Sequence, residues 1–350
     1  MGKAEDSLAT LGQDPGLRDK LIGLCRVAET ELSRPDFDVR EQVTGPILDA
    51  LHRDVGPLQK RLKSGLTFHF TYSGRIARDF VMSGEEPDHV WEPQTTKLLL
   101  HFAERARTVV IAGAYAGDQA LLVAQRLARA GGACHCFEPD RKQLALLRRN
   151  AESNRLTGNM VLNGIALWDT DNASLRLVGD AELGRPEEAS PADSGEVVTT
   201  TTVDVYGAQQ KLDSIDVLML DVEGGEYAIL RGAEHYLSQP VGKAPHVVFE
   251  IHRAFVDWSD GLENTTIGRL LREYGYKLYA IRDYQSNVDM AGLPIELVDV
   301  RDIYLDGPAH GFNMLAVKDE SVVTDPVFKI RRGVSPKLLR HRDPRLHQPL

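Results

Sequence analysis

From residue 93 onward, short apolar runs alternate with helical stretches, and that rhythm most restricts what the chain can become. The pattern predicts a helix opening at Pro93 and carrying Leu98, Leu99, Leu100 and Phe102. Next come a buried strand over 108–112 (TVVIA), a turn from Gly113 to Gly117 and a helix over 121–130. Further strands are expected at 134–137, 160–163, 215–220, 246–251, 276–281 and 313–317, with helices at 141–154, 226–237 and 265–275. Fully apolar strands separated by helices need cover on both faces, which a mostly parallel sheet provides. The expected fold class is α/β, a seven-stranded doubly wound Rossmann-like sheet. Its sixth and seventh strands lack a helix between them and are expected to form an antiparallel pair at the sheet's edge.

Residues 1–90 read as a separate, mostly helical segment, a lid or an oligomerisation element in an expected homo-oligomer. Leu17, Leu21, Leu24, Ala28 and Leu32 fall at helical spacing before Pro35. Ile47, Leu48, Leu51, Val55, Leu58 and Leu62 predict a second helix, interrupted near Gly56-Pro57. Residues 66–72 are β-prone, and Ser73 stands where a helix N-cap is expected. The sheet domain is expected over 91–320. Within it, 171–182 read as a hairpin arm, 184–196 as a Pro/Ser/acidic loop and 197–203 as β-prone, together a surface insertion. Residues 321–350 carry seven Lys/Arg against two acids, and are expected to form a solvated basic tail. The whole chain has a net charge of −10, which argues against a nucleic-acid partner. No run approaches 18 apolar residues, so no membrane span is expected, and the start lacks the apolar core of a signal peptide. Three cysteines are too few for a disulfide framework, and a cytoplasmic location is expected. Cys134 and Cys136 share one face of a buried strand and read as core.

The chemistry gathers at the carboxyl ends of the predicted strands, where open α/β sheets bind ligands. The first turn reads Gly113-Ala114-Tyr115-Ala116-Gly117-Asp118. Its glycines permit a tight turn and close approach of a ligand to backbone N–H groups. It lacks the dinucleotide pattern, because Tyr115 and Asp118 stand where glycines belong, and no Walker lysine follows. Glu138 ends the second strand, 25 residues after Gly113, where an acid accepts the hydroxyls of a ribose. An adenosine without a phosphate chain fits these features, which points to S-adenosylmethionine. The fourth strand ends in Asp221-Val222-Glu223-Gly224-Gly225-Glu226, and the fifth delivers Glu250 and His252 to one side. Glu226 is well explained as a charge at the start of the next helix. A neutral His252 or Asp221 is the candidate general base for an acceptor hydroxyl. Asp221 and Glu250 are also candidate ligands for a divalent metal such as Mg2+. Glu223, His310 and Arg75 are candidate acceptor contacts, and Ser73, Arg75 and Arg78 a candidate anion pocket.

These motifs resemble the FkbM-type S-adenosylmethionine-dependent methyltransferases over about residues 90–318. The resemblance rests on VVIAGAYAGDQALLVA, Phe137-Glu138-Pro139-Asp140, Asn163 with Ala166-Leu167, Thr202-Val203-Asp204, the Asp221–Glu226 segment with Leu-Arg-Gly-Ala at 230–233, Phe249-Glu250-Ile251-His252, and Asn313–Val317. It implies methyl transfer, usually to a hydroxyl oxygen of a sugar, glycolipid or secondary metabolite. It also implies that the Gly113–Gly117 turn cradles the methionine portion, that Glu138 holds the ribose, and that residues 165–167 lie near adenine. Asp221, Glu223, Glu250 and His252 would face the methyl and the acceptor. Ile111 and Tyr115 stand at the Asp and Asn positions of the family's first-turn pattern, and Asp118 is the candidate replacement carboxylate. Competing readings are a nicotinamide-dependent oxidoreductase or epimerase and a non-catalytic nucleoside- or glycan-binding protein.

Overall fold

The computed structural model describes residues 2–32, 34, 37–178, 185–188, 197–307, 311–339 and 343–346, with backbone alone at 178 and 185–188. Its centre is a nine-stranded sheet. In chain order the strands are β1 (Thr108–Ala112), β2 (Ala133–Phe137), β3 (Met160–Asn163), β4 (Val217–Leu220), β5 (His246–Ile251), β6 (Lys277–Ile281), β7 (Ile295–Asp299), β8 (Phe312–Val317) and β9 (Phe328–Arg331). Their spatial order is β9-β7-β6-β8-β5-β4-β1-β2-β3. The five strands β3, β2, β1, β4 and β5 run parallel, and β8 is antiparallel to both β5 and β6. This is the expected doubly wound α/β sheet, with the order reversing between β1 and β4.

Alternation of side chains in β1 shows why the sheet needs two covers. Val109 and Ile111 enter one core cluster, with Leu121 and Leu147 from helices Ala120–Ala128 and Arg141–Ser153. Val110 and Ala112 enter the other, with Ile229 and Leu271 from helices Glu226–Arg231 and Thr266–Glu273. The expected helix over 226–237 is two short helices, because Gly232 packs against the Trp168 carbonyl and a new helix starts at Glu234. Cys134 and Cys136 are fully buried, as expected of core residues.

Two strands exceed the expected seven. β7 pairs with β6, and β9 extends the sheet beyond it, so the antiparallel pair of β6 and β8 is not at the edge. The solvated-tail expectation is therefore corrected where the segment is described. Phe328–Arg331 is sheet, and Lys337–Leu338 pairs in parallel with Asp283–Tyr284. The Arg282 guanidinium donates to the Ser335 carbonyl and pins this crossing.

The N-terminal segment is helical at Lys3–Gly12, Pro15–Glu31, Gly45–His52 and Gly74–Met82. Residues Leu58–Arg61 form a strand paired with Thr67–Phe70, not the continued helix that the leucine spacing predicted, because Gly56-Pro57 ends helical geometry. This hairpin is held by the buried Asn150, whose amide donates to the carbonyls of His69 and Ala116 at 2.8 Å and accepts the His69 N–H. Ser73 stands at the N-cap of Gly74–Met82, but its hydroxyl makes no capping bond.

Candidate active site

A cavity of about 430 Å³ opens at the carboxyl ends of β1, β2, β4 and β5, at the switch point of the sheet. Gly113, Ala114, Tyr115, Asp118, Glu138, Ala166, Asp221, Glu223, Glu250, His252 and Arg75 all line it. Among the nominated catalytic, cofactor and acceptor residues, Gly117 and His310 are not among those that line it, and neither are Ser73 and Arg78 of the nominated anion pocket. Gly117 faces away, and a Cβ there would lie 2.8 Å from Leu147 Cδ1, so its role is packing of the turn on the helix behind it. His310 lies outside the described residues.

The first turn is built by close backbone approach. Gly113 has φ +76°, and a Cβ on it would lie 1.7 Å from the Asp221 carbonyl oxygen. Only glycine fits there without moving β1 or β4. Both Gly113 and Ala114 donate their N–H to the Phe137 carbonyl. Glu138 closes the turn: its two oxygens accept the N–H groups of Tyr115 and Asp140, each at 2.8 Å. Each oxygen keeps a further lone pair for a ligand hydroxyl. Burial pushes the Glu138 carboxyl up to about 7, against the lowering effect of those two bonds.

The loop after β4 has a similar internal support. Glu226 accepts the N–H groups of Val222 and Gly224, each at 3.0 Å, and bridges the loop's own backbone. Glu223 (φ +54°) and Gly224 (φ +105°) are consecutive left-handed residues that turn the Glu223 carboxyl toward the cavity. Replacing Glu226 by alanine leaves two N–H groups unpaired. It is expected to lower stability by about 2–4 kcal/mol in urea unfolding.

Three carboxylates meet at the centre: Asp221, Glu223 and Glu250 each place an oxygen within 4.8 Å of the others. Burial raises Asp221 to about 6. Burial and the Asp221 charge raise Glu223 to about 7, and burial with Asp221 and Glu223 raises Glu250 well above the ordinary carboxyl value. Burial and Asp221 lift Asp118 to about 7. Close carboxylates cannot all ionise together, so the cluster holds protons near neutrality.

This has a consequence for stability. Carboxyls raised in the folded state keep protons that the unfolded chain has released above about pH 4, so raising the pH disfavours the fold. The window runs from about 4 to about 7. Buried histidines and Lys60, whose values are lowered, act in the opposite sense, so the cluster's share is read by difference: Glu250→Gln is expected to gain more in melting temperature over wild type at pH 8 than at pH 5.5 by scanning calorimetry. A difference between the two proteins that does not change with pH would contradict this charge arrangement.

His252 departs from its expected role. Its Nδ1 accepts the Ala254 N–H at 2.9 Å, which puts the proton of the neutral ring on Nε2. The ring then offers the cavity a donor, not the basic nitrogen that a general base needs, and Asp221 is left as the candidate base. Gly311 brings β8 against this corner, because a Cβ there would lie 2.1 Å from Glu250 Oε1 and 2.8 Å from His252 Cδ2. The anion pocket at Ser73, Arg75 and Arg78 is also corrected. Asp49 and Glu41 hold the Arg78 guanidinium at 2.6 and 3.2 Å, while Arg75 lines the cavity and lies 3.7 Å from Glu41.

Among the lining residues that sequence reasoning neither nominated nor placed in a motif, two carry charge, Glu92 and Lys337. Glu92 precedes Pro93 in a left-handed conformation (φ +47°) and accepts from the Gln119 amide at 3.0 Å. An acid before a helix-opening proline was the only sequence signal for it. Burial, then Asp221, Asp283 and Asp118, raise its carboxyl well above the ordinary value. Lys337 was hidden in the basic tail. It is 6% exposed and reaches the cavity from the C-terminal crossing.

A cavity at the switch point of a doubly wound sheet, with an acid after β2, lies where open α/β sheets bind their ligands. Residues 112–278 match the family model described as the methyltransferase FkbM domain. The resemblance seen in the motifs therefore holds over this segment. A search of curated proteins finds no match. Among solved structures, the chain resembles an O-methyltransferase from Bacillus cereus in complex with SAH, at 15% identity over 66% of this chain and 84% of that one (TM-score 0.37). It also resembles the methyltransferase FkbM from Methylobacillus flagellatus KT, at 15% identity over 60% of this chain and 43% of that one (TM-score 0.34). A SAM-dependent methyltransferase from Agrobacterium tumefaciens matches at 11% identity over 75% and 70% (TM-score 0.40). Among the described residues, no helix is long and apolar enough to cross a membrane.

Proposed function

We propose that the protein is an S-adenosylmethionine-dependent O-methyltransferase acting on a hydroxyl of a sugar, glycoconjugate or secondary metabolite. The observation that carries this reading is one cavity with two chemically different ends. At one end, Glu138, held by the Tyr115 N–H beside the Gly113 turn, offers carboxylate acceptors for the hydroxyls of a nucleoside. At the other, a proton-sharing carboxylate cluster faces His252.

S-adenosylmethionine, when bound, supplies an electrophilic methyl group on a sulfonium. The residues here fit it. Glu138 has free lone pairs for the ribose hydroxyls, Ala166 and Leu167 offer an apolar shelf, and the acids Glu92, Asp118 and Asp221 suit a cationic sulfonium and ammonium. The chain then has to align the acceptor oxygen and remove its proton. Asp221 takes that proton, with a carboxyl near 6 that suits a base at neutral pH. His252 orients the acceptor oxygen through its Nε2–H. Asp221, Glu223 and Glu250 also fit Mg2+, as three hard oxygen donors at one point. Bound there, Mg2+ would lower the acceptor's pKa.

The test is incubation with S-adenosylmethionine and a panel of free sugars, glycosides and phenols, with and without Mg2+, reading release of S-adenosylhomocysteine. Methylation at oxygen is the expected result. Methylation confined to nitrogen acceptors would refute the oxygen assignment, and loss of turnover on chelation would assign the carboxylates to the metal.

A further inference from the structure

The charges lining the cavity are lopsided. Glu92, Asp118, Glu138, Asp221, Glu223 and Glu250 are acids, and among the described lining residues Lys337 is the only buried lysine or arginine. Its placement is fixed. Its own N–H bonds the Ser335 hydroxyl, and the neighbouring Asp283 N–H bonds the Pro336 carbonyl. The same Asp283 caps helix Pro93–Ala103 through the N–H groups of Gln94 and Thr95. The cation is therefore clamped to the segment that carries Glu92. Yet among the described residues the Lys337 ammonium makes no hydrogen bond or ion pair. Glu250, Glu92 and Asp283 act on it through charge alone, and Arg75 opposes them.

The stem of Lys337 is buried and its ammonium lines the cavity, so an anionic group bound there would meet a cation held in place with little competing water. S-adenosylmethionine and its product carry one anionic group, the carboxylate of the amino-acid end. The acids around the cavity answer its ammonium and sulfonium, and among the described lining residues no other buried cation answers the carboxylate. We propose that Lys337, delivered by the C-terminal segment from outside the matched domain, binds the methionine carboxylate of the cofactor. This rests on the methyltransferase reading above and adds to it that residues beyond 320 are part of the cofactor site.

The inference predicts a ligand-specific defect. Calorimetry compares S-adenosylhomocysteine with 5′-methylthioadenosine, which keeps the nucleoside and sulfur but has no amino-acid end. Lys337→Met preserves length and removes the charge. It is expected to weaken S-adenosylhomocysteine roughly 10- to 100-fold, the usual loss of a charge-assisted bond. Methylthioadenosine should bind wild type and variant alike, which also shows that the variant's pocket is folded. Lys337→Arg is expected to recover part of the loss. Equal binding of S-adenosylhomocysteine to wild type and Lys337→Met would overturn the assignment while leaving the methyltransferase reading intact. A parallel loss for both ligands would also overturn it, since the residue would then be structural. Failure of the wild type to bind either ligand would overturn both.

Discussion

Replacing Gly113 by alanine is expected to abolish detectable binding of S-adenosylhomocysteine, a loss of at least about 100-fold. Two costs act together. The residue sits at φ +76°, a conformation that costs a side-chain-bearing residue about 1–3 kcal/mol. The new methyl group would also lie 1.7 Å from the Asp221 carbonyl oxygen, and relieving that overlap means separating the ends of β1 and β4. Overpacking of this kind costs about 1–3 kcal/mol more. The displaced backbone carries the Ala114 and Tyr115 N–H groups, so the Tyr115–Glu138 bond goes with it. Calorimetric titration and a urea melt on one preparation separate the effects. Stability should fall by about 2–6 kcal/mol, with binding lost even where the protein is fully folded. Wild-type affinity in the variant would mean that this turn does not hold the cofactor.

The second large effect is at Asp221. Asparagine in its place keeps the shape and removes the proton acceptor. Turnover with the acceptor found by the methylation screen is expected to fall roughly 10²–10⁴-fold, the span of general-base catalysis. S-adenosylhomocysteine affinity should change far less. The wild-type rate should rise with pH as the carboxylate cluster loses its proton, with an apparent value near 6. That rise should vanish in the variant. His252→Ala is expected to act mainly on the acceptor's KM, because its Nδ1 is committed to the Ala254 N–H. An Asp221→Asn enzyme with an unchanged pH profile would return the base assignment to another group.

Much of this was legible because it is local. TVVIA and HVVFEI announce buried strands by composition alone, and the acids after β2 and β4 follow their strands directly. The helix drawn through Leu58 and Leu62 failed because leucine spacing alone does not separate a helix from a half-buried strand. β9 was hidden because an edge strand needs little apolar surface: FKIR buries Phe328 and leaves Lys329 and Ile330 exposed. Glu92 and Lys337 were hidden for a different reason. Glu92 stands at a helix start where an acid is ordinary, and Lys337 comes from a segment far from the sheet motifs in sequence; the Asp283 crossing links the two segments. The state of His252 depends on one hydrogen bond across a turn, which no residue type announces.

The central claim is that this cavity holds S-adenosylmethionine. Its most direct test is calorimetry of the purified protein with S-adenosylhomocysteine and, separately, with a nicotinamide dinucleotide, each with and without Mg2+. The account predicts S-adenosylhomocysteine binding in the micromolar range and no heat from the dinucleotide. Binding of the dinucleotide, or silence with S-adenosylhomocysteine under every condition, would contradict it.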